Sequence, residues 1–208
     1  MARWSPIERN LRAVHGPVLA GVDEVGRGPL AGPVVACALV MPAEQRAIAG
    51  VDDSKQLTPE VRRALALRIR ERAIAIGLGA ASVREIDQLN IYHATVLAMQ
   101  RALAQLHRRL GQQPQHVLVD GKPLRTLGCV HTAVVKGDSK CYAIACASIV
   151  AKVTRDRLMQ ALAGRYPVYA WERNAGYGTA VHRAALAQHG LTAHHRRSFC
   201  LDEQPSLF

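Results

Sequence analysis

The chain has 208 residues, enough to bury a full hydrophobic core in one domain. With 49% hydrophobic and 21% charged residues it has the balance of an ordinary globular domain, and no apolar run approaches the roughly 18 residues of a membrane span. Lys and Arg number 27 against 16 acidic residues, a net charge of +11 that favours a polyanionic partner over a membrane. The first residues, Met1-Ala2-Arg3-Trp4-Ser5-Pro6, lead into charged sequence with no apolar core, so a secretory signal is not expected and the cytoplasm is. Five cysteines without a C-x-x-C pair indicate neither a disulfide framework nor a zinc site.

In chain order, residues 18–25 and 32–40 are rich in small and β-branched residues and flank Gly26-Arg27-Gly28-Pro29, which predicts an antiparallel hairpin. Residues 51–57 read as a loop. Thr58-Pro59-Glu60 opens a helix with an N-cap, a proline at its first position and an acid in its first turn. That helix is expected to reach about residue 74 with Val61, Leu65, Leu67 and Ile69 buried, while Arg62, Arg63, Arg68, Arg70 and Arg72 read as a solvated face. Residues 76–81 predict a third strand. Ser82 and Glu85 have capping-box spacing, and a long helix over residues 92–110 carries Val96, Leu97, Leu103, Leu106 and Leu110 on its apolar stripe. Strands follow over residues 115–120 and 129–135, then a helix over 141–162 built of small apolar residues and fit to lie against a sheet. From about residue 166 loop and helix run to His194-His195-Arg196-Arg197, a basic run that reads either as a grip on a duplex or as a solubilising tail. The pattern indicates a mixed α/β sheet with helices on its faces and a helical C-terminal extension.

Three acidic positions end or follow apolar strands: Asp23-Glu24, Asp120 and Asp138. An acid beside a buried strand is costly unless it is paired or bound to a cation, and strand ends are where sites assemble in open sheets. Carboxylates alone, without His or Cys, suit Mg²⁺ or Mn²⁺ over zinc, and a pair of such ions suits phosphodiester hydrolysis. Singly, each acid also reads as a cap, with Asp138 on the helix that follows it and Asp120 on the turn at Gly121. Neighbouring strand residues face opposite ways, so either the strand bends after Asp23 or Glu24 reaches an ion indirectly.

Residues 20–34, AGVDEVGRGPLAGPV, resemble the signature of bacterial ribonuclease HII. So do Asp53-Ser54-Lys55 with Leu57, Asn90-Ile91 with Ala94-Thr95, and Val119-Asp120-Gly121. Lys136-Gly137-Asp138-Ser139-Lys140, residues 147–156 (ASIVAKVTRD) and Gly176-Tyr177-Gly178-Thr179 complete an ordered match over about residues 18 to 199. The resemblance implies a ribonuclease H-like fold, with a catalytic core over residues 1–165 and an extension over 166–208 that contributes to substrate binding. It also implies Asp23, Glu24, Asp120 and Asp138 as the catalytic and metal-binding carboxylates with Mn²⁺ or Mg²⁺. The implied substrates are RNA–DNA hybrids and duplex DNA with embedded ribonucleotides, cut on the 5′ side to leave 3′-hydroxyl and 5′-phosphate ends. In that frame the Gly26-Arg27-Gly28 loop is placed to sense a ribose 2′-hydroxyl. Tyr177 is placed to stack at an RNA-to-DNA junction, and Ser54, Lys55, Ser148 and Lys152 to contact substrate, while Arg155 reads either as a further phosphate contact or as part of a solvated helix face. A monomer is expected, and residues 204–208 (QPSLF) form a short tail able to dock on a replication clamp. Another two-metal nuclease on the same fold and a non-catalytic hybrid-binding module are the rival readings.

Overall fold

The computed structural model describes residues 4–200. The first helix, α1 (Pro6–His15), is not among the expected elements, although Ser5 and Glu8 form a capping box and Pro6 stands at its start. Strands β1 (Leu19–Val25) and β2 (Val34–Val40) make the expected hairpin, antiparallel and in unbroken register from Ala20–Val40 to Val25–Val35. Helix α2 (Pro59–Arg72), capped by Thr58, leads to β3 (Ala75–Ala81), which pairs antiparallel with β2.

Two helical segments in succession, together α3, span Val83–Leu110, with a capping box at Ser82 and Glu85. The break falls at Asn90, whose left-handed backbone (φ 65) lets its side chain accept from the amides of Tyr92 and His93 and start the second helix. Two strands, β4 (His116–Asp120) and β5 (His131–Val134), run parallel to β1, and the five-stranded sheet has the order β3-β2-β1-β4-β5. Helix α4 (Tyr142–Ala163) follows, then the short α5 (Trp171–Asn174), α6 (Ala180–His189) and α7 (Arg197–Cys200).

Helix α3 covers one face of the sheet and α4 the other, each with its own apolar cluster. Close approach is what small residues are for here: a methyl on Gly77 or Gly79 would collide with the α3 backbone at Ala102 or Ala98, and one on Gly21 with α4 at Ala143. The C-terminal extension packs through Tyr169, Trp171 and Ala185 against Ala31 of the β1–β2 loop and the end of α4 at Met159 and Ala163.

Two expectations for α2 fail. Val61 and Leu67 are exposed, and the buried row is Arg62, Leu65, Ala66 and Ile69, spaced three and four apart as one helical face requires. Arg62 is therefore not solvated. It donates to the carbonyls of Ser54 and Leu57 and lies 3.6 Å from Asp156. No described helix is long and apolar enough to cross a membrane.

Candidate active site

The β1–β4 ladder ends at Val22–Val119, so Asp23 and Asp120 are the next residues on adjacent parallel strands, at their C-terminal ends. Beyond Asp120 the chain turns through Gly121 and returns as β5, and Asp138 sits in the 3₁₀ turn Gly137–Ser139 that connects β5 to α4. The Asp120 carboxylate fastens that turn, accepting from the Gly137 amide at 2.6 Å. Asp138 does not cap α4. The start of that helix is held by Glu8 of α1, a fully buried carboxylate that accepts from the amides of Tyr142 (3.0 Å) and Ala143 (2.8 Å).

The carboxylates share one electrostatic neighbourhood. Burial first, then the charges of Glu24 and Asp120, push the Asp23 carboxyl well above the ordinary range, while hydrogen bonds from Ser148 and the Glu24 amide hold it partly back. Glu24 is also raised by burial; Arg27, 3.3 Å away, opposes this and Asp120 adds to it. Asp138 is raised by burial and by Asp120 and Asp53, against the pull of Lys55. The Lys55 ammonium loses some hydration, yet Asp138 (3.7 Å) with Asp53, Asp23 and Asp120 holds its pKa above the ordinary value. The register of β1 is regular through Val25, so the chain does not bend to bring Asp23 and Glu24 onto one side. Asp23 is buried toward Ser148 of α4, and Glu24, half-buried, turns toward Arg27.

Among the described residues no group of three or more His, Cys, Asp or Glu side chains stands close enough to hold an ion without moving. The donor set nevertheless fits a hard divalent cation, being oxygen-only and anionic. Each of Asp23, Glu24 and Asp138 would shed the cost of its neighbours' charge by binding one. Asp23, Glu24, Asp120 and Asp138 are the residues that would hold it.

The expected substrate contacts fall into two groups. Gly26 (φ 92), exposed Arg27 and Gly28 form the loop beside the carboxylates. The Tyr177 ring stands next to Gly28, so close that a methyl there would touch it. Lys55 is exposed beside Asp138. Ser54, by contrast, is buried, its hydroxyl 2.9 Å from that of Ser148, beneath Asp23. Lys152 is held by Asp156, one turn along α4, at 2.6 Å. Arg155 is neither solvated nor available to a phosphate. It is fully buried and donates to the carbonyls of Pro33, Ala175 and Ala31. His195 and Arg196 are likewise buried, so the basic C-terminal run is neither a duplex grip nor a solubilising tail at those two positions. Only packing reveals this, because a buried and an exposed arginine look alike in sequence.

A family model described as ribonuclease HII matches residues 20–202. A protein of Granulibacter bethesdensis named ribonuclease HII is 55% identical over 193 residues, covering 91% of this chain and 86% of its own. Among solved structures, ribonuclease H2 of Pyrococcus horikoshii OT3 superposes with a TM-score of 0.71 at 28% identity, over 86% of this chain and 92% of that one. Ribonuclease HII of Archaeoglobus fulgidus, solved in complex with PCNA, does so with a TM-score of 0.68 at 25% identity, over 91% and 98%.

Proposed function

The chain belongs to the ribonuclease HII family and is a ribonuclease H, an endonuclease of RNA–DNA hybrids. From that premise we propose that it also cuts duplex DNA 5′ of single embedded ribonucleotides, with Asp23, Glu24, Asp120 and Asp138 holding two divalent ions, Mn²⁺ or Mg²⁺. The observation that carries this reading is the placement of Asp23 and Asp120 on adjacent strand ends, with Asp138 and Glu24 within range of their charge and the Gly26–Gly28 loop alongside. When bound, the ions supply Lewis acidity at both the attacking and the leaving oxygen of an in-line displacement, giving 3′-hydroxyl and 5′-phosphate ends.

The chain's own groups do the rest. Asp120 fixes the turn that carries Asp138, and the buried Ser54–Ser148 pair steadies Asp23 from below. Ser54 is thus a supporting group. Lys55 is free to leave Asp138 for a phosphate oxygen, an exchange of one anion for another. Lys152 reaches substrate only by releasing Asp156. The backbone of Gly26, Arg27 and Gly28 reads the ribose hydroxyl, a group that both donates and accepts. Tyr177, 45% exposed, stacks on the sugar or base beyond the ribonucleotide.

We read residues 1–165 as the catalytic core and 166–208 as the extension that brings Tyr177 to it, in a cytoplasmic monomer. Residues 201–208, including the tail proposed to meet a replication clamp, lie outside the described residues. The PCNA complex formed by the Archaeoglobus relative supports that partner.

The test is cleavage of a DNA duplex carrying one ribonucleotide, with Mn²⁺, Mg²⁺ or chelator, beside an all-DNA control. A metal-dependent cut 5′ of the ribonucleotide alone is expected. Cutting of both duplexes would point to a general two-metal nuclease, and binding without cutting to a hybrid-binding module.

A further inference from the structure

We propose that Arg196 is a positioning residue for ribonucleotide selectivity, holding the Gly26–Gly28 loop in its reading conformation from inside the fold. Its guanidinium is fully buried. Nη1 donates to the carbonyl of Arg27 at 2.8 Å, Nη2 to those of Gly26 and of Gly32 (2.8 Å), and Nε to Gly32 at 3.0 Å. A planar fork of donors thus gathers both ends of the loop, which a single ammonium on a flexible stem cannot reproduce.

The consequence lies on the opposite edge of the loop. With the carbonyls of Gly26 and Arg27 drawn inward, the amides of Arg27 and Gly28 are left to the substrate. Among the described residues none takes either of them. Arg155 braces the same loop from α4 through Ala31 and Pro33, and ties it to the Tyr177 segment through Ala175. Gly26 lies against that guanidinium with a backbone only glycine adopts easily.

The segment carrying Arg196 is attached independently of its side chain. The Gly32 amide donates to the His194 carbonyl at 2.9 Å, the Arg196 amide to the Leu30 carbonyl at 2.8 Å, and Ala31 bridges His195. Truncating Arg196 should therefore loosen the loop while leaving the segment docked.

This inference rests on the reading of the loop as the ribose sensor, and the experiment separates the two. Arg196→Ala, Arg196→Lys and Gly28→Ala are compared with the parent protein on a duplex with one ribonucleotide, a long hybrid and all-DNA, with circular dichroism and melting to verify the fold. Arg196→Ala should lose about 10- to 100-fold in kcat at the single ribonucleotide, the scale of a misplaced positioning group, with KM little changed. Millimolar methylguanidinium should restore part of it. Arg196→Lys should show the same loss without rescue, and it carries the test if the alanine variant does not fold. Selectivity lost in Gly28→Ala but kept in both Arg196 variants would overturn the role of Arg196 alone. Selectivity kept in Gly28→Ala would overturn the loop reading and this inference with it.

Discussion

Asp23 pays for its position with a raised pKa, because burial and two neighbouring carboxylates all disfavour its charge. A carboxyl raised in the folded state favours folding while it is protonated. That contribution is present below the ordinary carboxylate value and is lost as pH rises through the raised one. In chelator, Asp23→Asn should therefore melt higher than the parent protein at pH 7, with the difference shrinking toward about pH 4. Calorimetry across that range measures it, and a constant difference would remove the charge cost. The same variant should lose the stabilisation that Mn²⁺ or Mg²⁺ gives the parent. Asp120→Asn keeps an acceptor for the Gly137 amide but removes a ligand charge. Turnover should fall by at least about a hundredfold with an unchanged circular dichroism spectrum, and unchanged activity would exclude Asp120 from the chemistry. Tyr177→Ala should cost about 1–3 kcal/mol at a lone ribonucleotide, the worth of a stacked base, while binding to all-DNA duplex changes little. Equal losses on both would sink the junction role.

The element on which most depends is α4, and its anchoring is unusual. Its N-cap residue, Cys141, makes no side-chain cap bond. The acceptor comes instead from Glu8, more than 130 positions earlier in the chain, and its charge also suits the positive end of the helix. Glu8→Ala should leave two buried amides unpaired and cost about 2–3 kcal/mol, read as a lower midpoint in urea. Because α4 carries Ser148 and begins just after the Asp138 turn, activity should fall before the fold is lost. A midpoint unchanged from the parent would show that water replaces Glu8. Helix α2 is the complementary case. Its start is legible from Thr58 and Pro59, but its buried row includes Arg62 in place of Val61 and Leu67, since a long side chain can bury its stem and still reach carbonyl partners.

At the scale of the molecule, a net charge of +11 with a cluster of acids at one point describes a surface that gathers a polyanion around a site needing cations. Binding to a hybrid should weaken steeply with salt, with a slope of about 0.9 in log K per log salt for each phosphate neutralised on a B-form duplex. A flat dependence, measured by anisotropy between low and physiological salt, would mean that few of the basic residues meet phosphate. Not all of them are on the surface, since Arg155 and Arg196 are internal ties, and formal charge therefore overstates the binding face.

The hairpin, the other strands and the caps at Thr58 and Ser82 were legible along the chain, because alternation, helical spacing and capping are local rules acting within a few residues. The α1 capping box at Ser5 and Glu8 obeys the same rules, and Ile7, Leu11 and Val14 recur behind it at helical spacing, so this short helix was legible by the same local signals although it was not among the expected elements. Packing across the whole chain sets which acids meet. Asp23 and Asp120 come together because β1 and β4 pair in parallel across nearly a hundred residues of chain, and Glu8 reaches α4 by the same kind of long-range placement. It also sets which arginines are buried. A guanidinium is interior only where several backbone carbonyls converge on it, and that convergence belongs to the packed chain and to no short stretch of it.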